Sequence, residues 1–291
     1  MDIQKNSQWI VGGASCIGTG HIQAGKERED SFYCEDWGNH WGIAVVSDGA
    51  GSRQKSAIGS WLIASEYAPK IFKRHLKPHF DNPEPMSHEQ WQTMSLRALY
   101  ECVYNLYQYC ETINDDLEHY GCTVIVIIYS PFGILCTQIG DGRACYRDSA
   151  GEWKACMKPY NPDPEEPSAT VFITSPIWKD LTAAQEYIGS TICEGATAFS
   201  LLSDGMESYC FICTPRNPIT GDDPNMPLQA FFESIYTSFN QIKANESLIN
   251  TELNDYLANN ARLAQEMDDK TLVFGYMSRE SVADATSPHS E

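Results

Sequence analysis

Five acidic positions in this chain stand where a short apolar run begins or ends. Asp48-Gly49 follows AVVS, Asp141-Gly142 follows TQIG and Asp204-Gly205 follows SLLS, while Glu29-Asp30 precedes SFYC and Asp268-Asp269 precedes KTLVF. A strand end lets a rigid sheet aim a short side chain at a shared point. A neighbouring glycine allows close backbone approach and can present its own carbonyl as a ligand. One Asp-Gly is ordinarily a turn, but five acidic positions at matching edges ask for more. If they converge, their mutual repulsion is costly unless cations neutralise it. Hard oxygen ligands select Mg²⁺ or Mn²⁺ over zinc, and two such ions about 3.5–4 Å apart can bridge a water and lower its pKa.

The elements that must carry these residues alternate between β-rich runs and helical patterns. Trp41 to Ser47 reads as a buried strand ending at Asp48, followed by a helix from about Ser56 with Ile58, Trp61, Leu62 and Ser65 on one face. A polar loop from Pro78 to Ser87 leads to the clearest helix, where Ser87 and Gln90 form a capping box. Its apolar stripe, from Trp91 through Leu99 and Leu106 to Ile113, marks packing on a core. Cys122 to Tyr129 and Gly133 to Ile139 read as strands, with Ala144 to Arg147 returning as a hairpin partner. Residues 160–168 form a Pro-rich loop, Thr197 to Ser203 a strand, and residues 214–227 a loop long enough to be a flap. Helices over roughly Leu228 to Phe239 and Asn250 to Leu263 precede a last strand, Lys270 to Met277. Short connections between grouped strands favour antiparallel pairing, so the expected class is α+β in layers. We expect one domain over residues 1–277 and a disordered polar tail over 278–291.

Composition narrows the function. Hydrophobic residues make up 42% and charged residues 20%, ordinary for a globular protein. No run of about 18 apolar residues suggests a membrane span, and the N-terminus lacks the features of a secretory signal. A soluble, cytoplasmic protein is expected. The odd number of cysteines, eleven, mostly within apolar segments, fits buried reduced thiols. Cys210 and Cys213 have C-x-x-C spacing without a second pair, and are read as structural. A net charge of −19 argues against nucleic acid and anionic membranes, yet suits a phosphate substrate once bound cations invert the local field.

Taken in order, the motifs resemble the phosphatase 2C family of metal-dependent protein phosphatases, in its compact bacterial form. The resemblance runs over roughly residues 12–277. It rests on Gly18-Thr19-Gly20-His21 with Glu29-Asp30-Ser31, on Val46 to Ser52, and on Gly121-Cys122-Thr123. Gly140-Asp141-Gly142-Arg143, Ser203-Asp204-Gly205-Met206 and Asp268-Asp269-Lys270-Thr271 complete it. It implies a layered α-β-β-α sandwich of two antiparallel sheets flanked by pairs of antiparallel helices. It implies hydrolysis of phosphoserine or phosphothreonine on a protein, with a Ser/Thr kinase or that kinase's targets as partner. The cofactors would be two divalent cations, Mn²⁺ or Mg²⁺. Asp48 would bridge them with the Gly49 carbonyl on one, Asp204 and Asp268 would complete the other shell, and Asp30 would support the pair, with Glu29 acting through water. Asp141 matches a position that helps to bind a third, weaker cation.

Two positions depart from the family pattern. An arginine that binds phosphate in many members is Gly25 here, leaving Lys26, Arg28 and Arg53 as candidates, although lysine cannot fork onto two oxygens. The histidine that often follows Asp-Gly is Ala50, leaving His21 as the candidate acid. These departures favour an alternative, a catalytically weak module that binds a phosphorylated partner; retention of every metal carboxylate opposes it. A haloacid-dehalogenase-type hydrolase needs a second Asp two residues after its nucleophile, and Ala50 excludes that.

Overall fold

The computed structural model describes residues 7–81, 83–160, 170–217 and 223–279. Its strands are β1 (Ser7–Cys16), β2 (Ser31–Gly38), β3 (Trp41–Ser47), β4 (Val124–Ser130), β5 (Gly133–Ile139), β6 (Arg143–Arg147), β7 (Trp153–Ala155), β8 (Gly189–Glu194), β9 (Ala198–Leu202), β10 (Phe211–Ile212), β11 (Met226–Pro227) and β12 (Lys270–Arg279). Its α-helices are α1 (Thr19–Ala24), α2 (Ser56–Trp61), α3 (Ala68–Asp81), α4 (His88–Ile113), α5 (Leu181–Ala184), α6 (Glu207–Cys210), α7 (Gln229–Gln241) and α8 (Glu246–Asn259).

Two five-stranded antiparallel sheets, ordered β1-β12-β9-β6-β7 and β2-β3-β4-β5-β8, face each other. The period-two alternation of strands explains how. On β3, Ile43 and Val45 pack with the helical layer of Phe72, Trp91 and Leu99. Ala44 and Val46, on the opposite face, meet Trp9, Phe199 and Val273 between the sheets. The outer face of the first sheet, with Leu272 and Phe274, is covered by Phe232, Phe239, Leu253 and Leu257 of α7 and α8. The result is the expected α-β-β-α sandwich. Among the described residues no helix is long and apolar enough to cross a membrane, and all eleven cysteines are unpaired.

Several expectations need correction. The run Ala144 to Arg147 is not a hairpin partner of β5. It belongs to β6, which pairs with β9 and β7 in the opposite sheet. Gly140, at φ 106°, turns the chain away, and the Gln138 amide Nε2 holds the turn by donating to the carbonyls of Gly140 and Gly142. The helical stretch from Ser56 continues through a π-helical segment, Leu62–Tyr67, into α3, so Pro78 lies inside a helix. On α2 the buried face is Ser56, Gly59 and Ser60, whereas Ile58 and Trp61 are exposed; small residues let this helix approach main chain closely. The capping box at Ser87 and Gln90 is present. The last long helix begins earlier than expected, capped by Asn245, and β12 extends through Ser278 and Arg279. The rest of the tail, most of the 160–168 loop and residues 218–222 of the 214–227 loop lie outside the described residues. The ends of that last loop are tied together by β10 and β11.

Candidate metal centre

Asp30 and Asp48 flank the paired ends of β2 and β3, where Ser31 stands opposite Ser47. Asp48 is then fixed by its own backbone. Its carbonyl accepts from the Thr123 N–H at 2.8 Å, and its N–H donates to the Thr123 hydroxyl at 3.1 Å. Gly49 bridges Cys122, and the Ala50 N–H donates to the Gly121 carbonyl. The Gly121-Cys122-Thr123 motif is therefore the clamp for the Asp-Gly loop. No other residue fits at position 49, because a Cβ there would lie 2.6 Å from the Glu29 carbonyl oxygen.

From the opposite sheet come Asp204, directly after Ser203 at the end of β9, and Asp268, two residues before β12. Asp141 sits on the crossover between the sheets. Asp48 lies within hydrogen-bonding reach of both Asp30 and Asp204. Asp141 and Asp268 are close enough to repel Asp204. The predicted carboxylates thus come together from five connections and both sheets.

Their electrostatics show the strain of that convergence. Burial pushes Asp30 up to about 6 despite hydroxyl donors from Thr271 and Ser203. Burial, with repulsion from Asp141 and Asp268, pushes Asp204 up to about 7. Asp48 is held well above the usual carboxylate range, first by removal from water and then by Asp30 and Asp204; Asp141 is raised chiefly by burial. Asp204 Oδ1 and Glu29 Oε2 are buried without a hydrogen-bond partner. Among the described residues no three or more His, Cys, Asp or Glu side chains are arranged so that they could hold a metal ion as they stand. Crowded oxygen-only donors with unsatisfied atoms nevertheless fit hard divalent cations, whose charge would remove the repulsion.

Asp269 has a different role from its neighbour. Its Oδ1 accepts from Gly18 N–H at 2.8 Å and faces His21 Nδ1 at 2.9 Å, and its Oδ2 accepts from the N–H groups of Glu29 and Asp30. It is a buried fastener for the first acidic motif. The Nε2 atom of His21 lies 3.4 Å from Glu29 Oε2 and 3.8 Å from Asp268 Oδ1. Glu29 itself accepts from Ser56 at Oε1.

The three candidate phosphate ligands are not equivalent. Arg28 donates from Nε to the Asp30 carbonyl and from Nη1 to the Ser15 carbonyl, which commits it to main chain. Arg53 packs beside Gly121 and lies 3.6 Å from the exposed Glu118. Lys26 places its ammonium 2.8 Å from the Gly51 carbonyl and 3.4 Å from Glu29, at the rim of the cluster. The sequence did not single out Ser15, Ser203 or Thr271, whose hydroxyls serve Asp30 directly or through one another; Ser203-Asp204 and Lys270-Thr271 were visible only as motif neighbours.

Residues 17–258 match the model of the protein phosphatase 2C family. The chain belongs to that family. Among solved protein phosphatase 2C-like folds, it resembles a bacterial serine phosphatase at 14% identity and a TM-score of 0.52, over 95% of this chain and 99% of that one. PppA, described as a key regulatory component of T6SS in Pseudomonas aeruginosa, matches at 16% identity and a TM-score of 0.54, over 94% and 100%. The catalytic domain of the serine threonine protein phosphatase PstP, solved with two manganese ions, matches at 16% and 0.51, over 93% and 100%. At such identities the likeness to these structures is one of fold. No curated protein matches the chain.

Proposed function

We propose that this protein phosphatase 2C-family chain is a cation-dependent phosphoprotein phosphatase acting on phosphoserine or phosphothreonine, as one catalytic unit over residues 1–277. The observation that carries the reading is the convergence of Asp48 with Asp30 and Asp204 from the two sheets, close enough for their charges to raise one another, with Asp204 Oδ1 buried and unpartnered. Evolutionarily neutral decay would not maintain such a costly arrangement, since packed carboxylates destabilise a fold that does not use them. The binding-module alternative leaves this cluster without a purpose.

Asp48, Asp204 and Asp268, with Asp30 and the Gly49 carbonyl, would hold two divalent cations, Mn²⁺ or Mg²⁺. Glu29 would act through water, and Asp141 would serve a third, weaker site. When bound, these cations supply charge neutralisation and an acidified water for attack on phosphorus. Lys26 would meet a phosphate oxygen as a single point charge in place of the fork that Gly25 cannot provide. His21, whose Nδ1 faces Asp269 and whose Nε2 faces Glu29 and Asp268, would give a proton to the departing serine or threonine oxygen. Partners would be phosphorylated proteins, a Ser/Thr kinase or its targets among them, in the cytoplasm.

The test is hydrolysis of a phosphothreonine peptide with Mn²⁺, with EDTA, and by Asp48→Asn and Asp204→Asn. Mn²⁺-dependent turnover lost in both variants supports the reading. A folded, Mn²⁺-binding protein without turnover supports the binding module instead.

A further inference from the structure

The charges around the site point to the kind of phosphopeptide it takes. Apart from Lys26 at the rim, which the proposed function gives to the phosphate, the cations near the cluster are already engaged. Arg28 is bound to main-chain carbonyls. Lys55 is bonded to Asp115. Arg143, only 4% exposed, is held by Glu207 and Asp223. Arg53 faces Glu118. Against these stand carboxylates outside the proposed cation ligands. Glu27 is exposed beside Lys26. Glu118 is 74% exposed and faces Arg53 from the segment that clamps the Asp48 loop. Glu207 follows Asp204 by one turn, and its charge reaches Asp141. Glu266 receives the N–H groups of Met267 and Asp268. The unsatisfied oxygens of Glu29 and Asp204 point to cations as the first occupants of this mouth; around it Glu207 is matched by Arg143, Glu118 meets Arg53 only at 3.6 Å, and Glu27 stays exposed. The whole chain adds its field, with 39 acidic residues against 20 basic.

We infer that the site selects phosphoserine or phosphothreonine flanked by lysine or arginine. A phosphate dianion on an acidic or neutral peptide approaches a negative mouth, whereas basic flanks pair with Glu27 and Glu118 while the phosphate enters. Such steering changes association by tenfold or more and weakens with salt. The inference rests on the phosphatase reading only for its chemistry; the preference itself is a property of binding.

The experiment uses three phosphothreonine peptides of one core sequence, flanked by arginine, serine or glutamate, with the Mn²⁺-loaded protein. Binding is read by fluorescence anisotropy and turnover by phosphate release, at low salt and at about 0.3 M salt. The expected result is about tenfold tighter binding of the arginine-flanked peptide than of the serine-flanked one, and weaker binding still with glutamate. High salt should shrink the spread, and Glu27→Gln with Glu118→Gln should narrow the arginine-to-serine ratio. Equal binding, a glutamate preference, or a spread indifferent to salt overturns the inference. Ranked binding without any turnover instead counts against the phosphatase reading and leaves the preference standing.

Discussion

Thr271, on β12 of one sheet, donates its hydroxyl to the carboxylate of Asp30, at the edge of the other sheet, at 2.6 Å. With its single proton so committed, Thr271 accepts from Ser15 at 2.7 Å. Ser203 donates to the same oxygen of Asp30 at 2.7 Å. A carboxylate whose ionised form burial opposes is thereby kept as an acceptor.

Thr271→Val, nearly isosteric, should therefore cost about 1.5–3 kcal/mol of stability, the worth of a hydrogen bond to a charged group, and weaken Mn²⁺ binding. Thr271→Ser should restore both. Chemical denaturation and calorimetric titration with Mn²⁺ read the pair; a Val variant as stable and as tight as the parent would remove Thr271 from this role.

Asp269→Asn exchanges one acceptor oxygen for an NH₂ group that would face donors already pointing inward. Whichever way the amide turns, it meets either Gly18 N–H and His21 or the N–H groups of Glu29 and Asp30. A loss of about 1.5–3 kcal/mol is expected, with hydrogen exchange accelerating first at Gly18 and Glu29. Protection unchanged at those amides would show that the fastener is dispensable.

Arg143 is buried between Glu207, Asp223 and Asn225. Arg143→Met leaves two acidic groups facing each other and should cost about 3–5 kcal/mol. Adding Glu207→Gln and Asp223→Asn to that variant should recover part of the loss, because the uncompensated charge goes with them. Thermal unfolding of the single and triple variants decides it; a triple variant less stable than Arg143→Met would contradict the charge explanation.

Asp30 and Asp204 titrate at about 6 and about 7 in the cation-free fold, against 3.8 ordinarily. Between those limits the folded chain keeps protons that the unfolded chain has released. Cation-free stability therefore falls as pH rises from about 4 to about 7. Mn²⁺ should raise the Tm more at about pH 7.5, where the carboxylates are ionised and repel, than at about pH 5. An equal gain at both pH values would mean that these carboxylates are not what the ion meets.

Much of this was legible in the sequence because it was local. The α4 stripe and its capping box lie within one segment, and each Asp-Gly announces a strand end by itself. β1 was not read, since Gly12-Gly13 interrupts its apolar alternation, and β8 carries too few apolar residues to stand out. The pairing of His21 with Asp269 joins positions 248 apart in sequence, and that of Thr271 with Asp30 positions 241 apart. Neither leaves a periodic trace, because each depends on how two sheets are stacked. The destination of β6 was also a tertiary matter: a short turn usually makes a hairpin, and only the left-handed Gly140 diverts it.

That diversion places Asp141 on the strap that passes from one sheet to the other. Asp30 and Asp48 rise from one side of the seam, Asp204 and Asp268 from the other. Under the proposed function, an ion shared among them would act as a removable rivet between the two halves of the sandwich. Extracting it should loosen both sheets together at that end, so the fold's resistance to unfolding and its readiness for chemistry would be set by the same few charges.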